Sequence, residues 1–341
     1  MKQDIKSFNQ KELEDFFVSL GEKPFRARQV YQWMHQKQAA SFAEMTNISK
    51  TLQDKLRETC ELTVLRQELV QRSRDGTAKY LFALADGNMI ESVRMKYKHG
   101  NSVCISSQAG CGMGCRFCAS ALGGLARSLT PAEMLDQIYR IQTDIGERVS
   151  HVVVMGTGEP LDNYDNLLKF LELLTDENGL HISQRNITVS TCGIVPNMRR
   201  LAEEKLQITL AVSLHASTQQ KRLELMPVAN KYEIHELLAA CREYFAKTGR
   251  RITFEYSLVA GVNDSAEDAL QLASLIKNMN CHVNLIPVNP IEERDYVQSG
   301  KQAVTEFKDK LEKYGITVTV RREMGRDIDG ACGQLRRRQI L

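Results

Sequence analysis

No apolar run in this 341-residue chain approaches the roughly 20 residues that cross a bilayer. The opening residues, Met1-Lys2-Gln3-Asp4-Ile5-Lys6, are not followed by the apolar stretch of a secretory signal, so a cytoplasmic protein is expected. A surplus of one charge is also missing. Forty-five Lys and Arg against 42 Asp and Glu leave a net +3, which by itself does not announce nucleic acid. There is no low-complexity segment and no repeat beyond the strand–helix unit described below. What is present is 43% hydrophobic and 26% charged residues, the balance of a globular protein with one large domain and a smaller one. Nine cysteines in an unexported chain argue against a disulfide framework and for metal-binding or catalytic thiols.

Hydrophobic periodicity divides the chain. Gln10–Leu20 and Arg26–Gln36 carry apolar residues at helical spacing, and Ser49 is a candidate N-cap for a third helix ending near Thr59. From Leu62 the period becomes two, with stretches 63–71, 78–84, 88–96 and 101–107 separated by hairpin turns. A strand–helix alternation follows, with strands near 102–107, 151–155, 186–191, 208–214, 252–258, 282–287 and 316–321. Intervening helices are expected near 131–146, 164–176, 196–204, 233–248, 265–279 and 300–314. The fold class is therefore α/β, a partial (βα)6 barrel with a small N-terminal helical domain and a β-hairpin extension. The expected divisions are 1–61 (helical), 62–100 (hairpins), 101–321 (barrel) and 322–341 (tail). In such a barrel the chemistry lies at the C-terminal ends of the strands.

The first of those ends carries Cys111-Gly112-Met113-Gly114-Cys115-Arg116-Phe117-Cys118. A fourth cysteine is missing from this C-x₃-C-x₂-C string. A closed zinc site and an electron-transfer [4Fe–4S] cluster both want four ligands. A cubane on three thiolates leaves one iron open, and the spacing resembles the radical S-adenosylmethionine (SAM) superfamily, where that iron chelates SAM. The triad also fits a zinc knuckle with a remote fourth ligand such as Cys104 or His99.

The other strand ends supply binding groups. The second runs into Gly156-Thr157-Gly158-Glu159-Pro160, where Gly158 lets backbone approach a ligand and Glu159 suits an ammonium group. The third and fourth present Ser190 and Ser213-Leu214-His215, suited to a ribose or carboxylate, although His215 equally suits a structural role. The sixth presents Asn289, suited to ribose hydroxyls or an adenine edge. Cys332 stands between Gly330 and Gly333 in a tail with six arginines between Arg321 and Leu341. Arg336-Arg337-Arg338 reads equally as a phosphate clamp or a solvated end.

Four strings together resemble the RlmN/Cfr family of radical SAM RNA methyltransferases. They are Cys104-Ile-Ser-Ser-Gln-Ala-Gly with the cysteine triad, Met155-Gly-Thr-Gly-Glu-Pro160, Val212-Ser-Leu-His-Ala216, and Arg326-Asp-Ile-Asp-Gly-Ala-Cys-Gly-Gln-Leu335. The resemblance spans nearly the whole chain, and Pro160 leans it toward the RlmN branch. It implies methylation of C2 of an adenosine in the peptidyl-transferase centre of 23S rRNA, with the adenosine 3′ of the tRNA anticodon as a second substrate. The alternative is C8 methylation of the Cfr type. It implies a [4Fe–4S] cluster on Cys111, Cys115 and Cys118, two SAM per turnover, an electron donor such as flavodoxin or ferredoxin, and a monomer. It also implies a ping-pong route, since C2 of adenine is too electron-poor for simple methyl displacement. Cys332 carries the methyl and Cys104 releases the product through a transient Cys104–Cys332 disulfide. Glu91 matches the family's proton acceptor. Two other readings are a small-molecule radical SAM enzyme and a non-enzymatic zinc-containing RNA-binding protein.

Overall fold

A computed structural model describes residues 2–290, 293–328 and 335. The N-terminal module holds β1 (Gln3–Asp4), α1 (Gln10–Ser19), α2 (Pro24–His35), α3 (Lys50–Thr59) and β2 (Cys60–Glu61). Asn9 and Glu12 form a capping box that starts α1, and Ser49 accepts from the Leu52 N–H to start α3. Leu13, Phe17, Val30, Met34, Leu52 and Leu56 are the buried faces of the three helices.

The module is fixed to the rest by buried polar groups. Lys6 Nζ pairs with Asp136 at 2.7 Å with neither side chain exposed, and also donates to the Thr63 carbonyl. The second Asp136 oxygen accepts from the Leu65 N–H at 2.7 Å. Tyr31 donates to Asp176 at 2.8 Å, and His35 Nδ1 shares a 2.7 Å bond with the Tyr139 hydroxyl.

Three antiparallel strands follow, β3 (Arg66–Arg72), β4 (Ala78–Ala83) and β5 (Met89–Tyr97). The first parallel strand is β6 (Gly100–Cys104), and a short ladder of β7 (Gln108–Gly110) and β8 (Leu125–Ser128) comes next. The chain then alternates α4 (Pro131–Ile145), β9 (Val149–Val154), α5 (Tyr164–Thr175), β10 (Ile187–Thr191), α6 (Val195–Glu203) and β11 (Thr209–Ser213). It ends with α7 (Gln219–Leu225), α8 (Ile234–Thr248), β12 (Ile252–Leu258), α9 (Ala266–Leu275), β13 (Cys281–Pro287), α10 (Lys301–Lys313) and β14 (Thr317–Val320).

One ten-stranded sheet runs in the order β14-β13-β12-β11-β10-β9-β6-β5-β4-β3. From β6 through β14 its pairs are parallel, with six helical crossovers, and β3–β5 extend it antiparallel past β6. The order ends at β14 and β3 without closing, so the barrel is partial, as the sequence predicts. The hairpins continue the barrel sheet rather than standing apart from it.

Alternation along the strands separates two faces. Val103, Val152, Val154, Ile187, Val189, Leu210, Val212, Phe254, Val283 and Leu285 are buried in the main apolar core with residues of α4–α6 and α8–α10. The opposite face is more open and more polar. Register places Lys79, Val93 and Cys104 in one row of side chains, and Ser213, Glu255, Asn284 and Thr319 in another. The β1–β2 pair, the β7–β8 ladder and α7 are absent from the sequence reading.

Candidate active site

The cysteine loop is a hairpin tip. β7 leads into Cys111, whose N–H donates to the Gly124 carbonyl at 2.9 Å, and β8 leads away. Gly110 has φ +80°, and a Cβ there would lie 2.1 Å from the Gly124 oxygen, so the crossing tolerates no side chain. From the other side the Arg116 N–H donates to the Leu225 carbonyl at the end of α7, at 2.9 Å. A small apolar cluster of Cys192, Leu225 and Met226 packs with Met113, Cys115, Phe117, Val228 and Val262. The thiols therefore sit on a braced loop in apolar surroundings, where access of water is limited.

Burial pushes the Cys111 thiol up to about 11, and the neighbouring Cys118 adds to the rise. Cys115 is raised further, by burial first and then by Cys118 and Cys111. Thiols raised in this way, as Cys111 and Cys115 are, are poor as isolated thiolates. A cationic iron centre reverses the balance, because a coordinated thiol is deprotonated. Among the described residues no group of three or more His, Cys, Asp and Glu side chains is disposed to hold a metal ion as it stands. The fit to a three-thiolate cluster thus rests on donor chemistry and on the seating of the loop.

The loop after β9 packs directly on the chain leading to the cysteines. The Ser107 and Gln108 N–H groups donate to the Thr157 carbonyl at 2.9 and 3.1 Å. Gly158 has φ +111°, and a Cβ there would meet Gln108 at 2.6 Å and Ser107 at 2.8 Å. The space opened by Gly158 is thus filled by the protein's own Ser107 and Gln108, so its close approach is to backbone of this chain. Glu159, 3% exposed, accepts from the Cys192 N–H at 2.7 Å and the Leu161 N–H at 3.0 Å. Burial raises its carboxyl, and those two bonds together with Thr191 oppose the rise. No cation pairs with Glu159 among the described residues. A buried carboxylate braced by backbone is suited to an incoming ammonium group.

The remaining predicted residues distribute as follows. Ser190 and Ser213 are half-buried on the open face of β10 and β11. Leu214 is fully buried, with its N–H donating to the Glu255 carbonyl at 3.1 Å. His215 has φ +53° and its Nδ1 accepts from the Ser257 N–H at 2.8 Å. Its ring packs edge-on against Phe117 at 4.8 Å, and burial, aided by Arg222, pushes its pKa down to about 3. The imidazole is therefore neutral and braces the cysteine loop. Asn289 is exposed just past β13, at the same end of the sheet. Cys104 is buried at the end of β6. Glu91 is buried and pairs with Lys79 Nζ at 3.1 Å, and its carbonyl accepts from Ser106 Oγ at 2.7 Å. Glu91 lies two residues from Val93, the partner of Cys104, on the same face. Cys332 and the Arg336–Arg338 run lie outside the described residues.

Sequence reasoning missed Gln108, Cys192, Lys79 and above all Arg222. Arg222 is 0% exposed on α7, where an amphipathic reading puts arginines in solvent.

Comparisons with known proteins agree with this geometry. Residues 3–62 match the family model for the ribosomal RNA large subunit methyltransferase N-terminal domain, and residues 105–273 match the radical SAM superfamily. A probable dual-specificity RNA methyltransferase RlmN of Lachnospira eligens is 67% identical over 338 residues, covering 99% of this chain and 97% of the relative. The protein of that name from Lachnoclostridium phytofermentans is 58% identical, with 98% and 95% coverage. The crystal structure of a radical SAM methyltransferase from Sphaerobacter thermophilus superimposes with a TM-score of 0.94 at 41% identity, covering 97% and 98% of the two chains. The cofactors of the superfamily are a [4Fe–4S] cluster and SAM. No helix among the described residues is long and apolar enough to cross a membrane. The chain belongs to the RlmN family of radical SAM RNA methyltransferases.

Proposed function

We propose that the protein methylates C2 of an adenosine in the peptidyl-transferase centre of 23S rRNA, and the adenosine 3′ of the tRNA anticodon, through a methyl carried on its own Cys332. Support for two RNA substrates comes from the dual-specificity name of the relatives and the ribosomal domain match at residues 3–62. Pro160 after Gly158-Glu159 favours C2 over C8. The observation that carries the reading is the shared face of Cys104, Glu91 and Lys79, one strand end away from the cysteine loop.

Cys111, Cys115 and Cys118 hold the cluster, and Glu159 receives the SAM ammonium. Ser190, Ser213, Leu214, His215 and Asn289 line the SAM site, and Gly158 lets the loop that carries Glu159 close on Ser107 and Gln108. When bound, the cluster and SAM supply the radical that activates the methyl on Cys332, with two SAM consumed per turnover. Every other step falls to side chains. Cys332 takes the methyl as a sulfur nucleophile and joins to the adenine through it. Glu91 removes the ring proton, with Lys79 held against it. The Cys104 thiolate then attacks the Cys332 sulfur and breaks its bond to the transferred carbon, which takes up a proton to become the methyl of the product, leaving a Cys104–Cys332 disulfide that must be reduced before the next turnover.

The divisions 1–61, 62–100, 101–321 and 322–341 belong to this reading, with the first as an RNA-binding accessory unit. So do a monomeric state, a cytoplasmic location and a flavodoxin or ferredoxin as electron donor. The test is mass spectrometry of 23S rRNA and tRNA from a deletion strain complemented with this chain. A C2-methyl adenosine restored in both RNAs is expected. A C8-methyl product, or no restored methyl, contradicts the proposal.

A further inference from the structure

Arg222 is a fully buried guanidinium with an unusual set of partners. Its Nη2 donates to the Cys192 carbonyl at 2.7 Å and reaches the Ser213 carbonyl at 3.5 Å, while Nη1 reaches the Tyr232 carbonyl at 3.5 Å. Its Nε is buried with no hydrogen-bond partner. No carboxylate pairs with it among the described residues, whereas a buried charge is ordinarily neutralised by an opposite one. Uncompensated burial holds the guanidinium below its ordinary range, and the acidic groups that oppose this are the thiols of Cys192, Cys115 and Cys241.

The position of Arg222 explains the pattern. It lies one turn before Leu225, whose carbonyl accepts from the Arg116 N–H inside the cysteine loop. Cys192, bonded through its carbonyl to Arg222, packs with Cys115, Leu225 and Met226 in the small apolar cluster. Gly193, which follows Cys192, has φ +102°, and a Cβ there would meet Leu237 at 2.6 Å while only touching Arg222 Nη2 at 3.4 Å. Apart from the solvent-exposed Arg116 of the loop itself, the groups around the cysteines are three thiols, the Glu159 carboxyl and an uncharged His215, which leaves Arg222 as the buried positive charge among them.

We propose that Arg222 is a positioning residue that supplies the fixed positive charge behind the cluster, setting its reduction potential and making the three-thiolate loop affordable in an apolar seat. This rests on the assignment of Cys111, Cys115 and Cys118 as cluster ligands. Reduction adds one electron, and hence one negative charge, to a buried cluster. A fixed positive charge stabilises the reduced form, and burial leaves little water to screen it. By Coulomb's law at an effective dielectric near 20, a unit charge roughly 10 Å from another is worth on the order of tenfold or somewhat more in an equilibrium.

The test is a mediated dithionite titration of anaerobically reconstituted full-length protein, with the reduced cluster followed by electron paramagnetic resonance. Wild type is compared with Arg222→Met, Arg222→Gln and Arg222→Lys. The two neutral variants should become harder to reduce by about tenfold, or ~59 mV for a one-electron couple. Arg222→Lys should stay near wild type. Neutral variants within threefold of wild type, or a lysine variant shifted as far as they are, overturn the proposal. Failure of both neutral variants to fold also overturns it, by making Arg222 a framework residue. A wild-type protein that takes up no four-iron cluster fails at the earlier step, the ligand assignment, and is distinguished by its iron content.

Discussion

Two places in this protein bury charge, and they handle it in opposite ways. At the junction of the N-terminal module, Lys6 and Asp136 neutralise each other at 2.7 Å, and the pair is completed by the Thr63 carbonyl and the Leu65 N–H. At the C-terminal ends of the strands, Glu159 and Arg222 are buried as deeply, yet each is bonded to backbone and neither has an opposite charge among the described residues. A framework satisfies its charges internally. A cofactor site keeps charges braced and waiting for what binds.

The contrast can be broken from the framework side first, where the effect is largest. Lys6→Met leaves Asp136 buried with only Arg140 Nε, at 3.5 Å, as a cation. We expect a loss of about 3–5 kcal/mol in chemical denaturation. A loss under 1 kcal/mol would mean that the junction carries little of the fold. On the site side, Glu159→Gln removes a carboxylate that burial already disfavours, so apo-protein stability should hold or rise. SAM affinity should instead fall by about one to two decades, from a charge-assisted bond worth roughly 1.5–3 kcal/mol. Unchanged affinity by calorimetry removes Glu159 from the SAM site.

How much of this could be read from sequence follows from range. Apart from α7, every helix and strand of the alternating region is expected within a few residues, because periods of 3.6 and 2 are local properties. The cysteine loop and the Gly156–Pro160 string were visible for the same reason. Arg222 was not, since nothing local marks an arginine on a seven-residue helix as buried, and only the packing of α7 on the cysteine loop decides it. Nor was Lys79, which meets Glu91 only through the β4–β5 register. Strands β7 and β8 are three and four residues long, too short for periodicity to declare.

Acid provides a smaller, graded probe of the framework. His35 is buried neutral at the module junction, with its pKa pushed down to about 3, chiefly by burial. Unfolded, the same imidazole protonates near 6.5. The unfolded chain therefore binds the extra proton, and stability is lost as pH falls from about 6.5 toward 3, at about 1.4 kcal/mol per unit. His35→Asn in the apo-protein should flatten the stability–pH slope by about one proton over that window. An unaltered slope would mean that His35 is already protonated in the fold.

The most direct test of the account concerns the face that Cys104 shares with Glu91. If Cys332 takes the methyl and Cys104 releases the product, the two thiols fail differently when removed. Cys104→Ala should accumulate protein joined covalently to RNA, seen as a shifted band on a denaturing gel that nuclease collapses. Cys332→Ala and the double variant should give none, because Cys332 acts first. A Cys104→Ala protein that turns over normally with no trapped RNA contradicts the account.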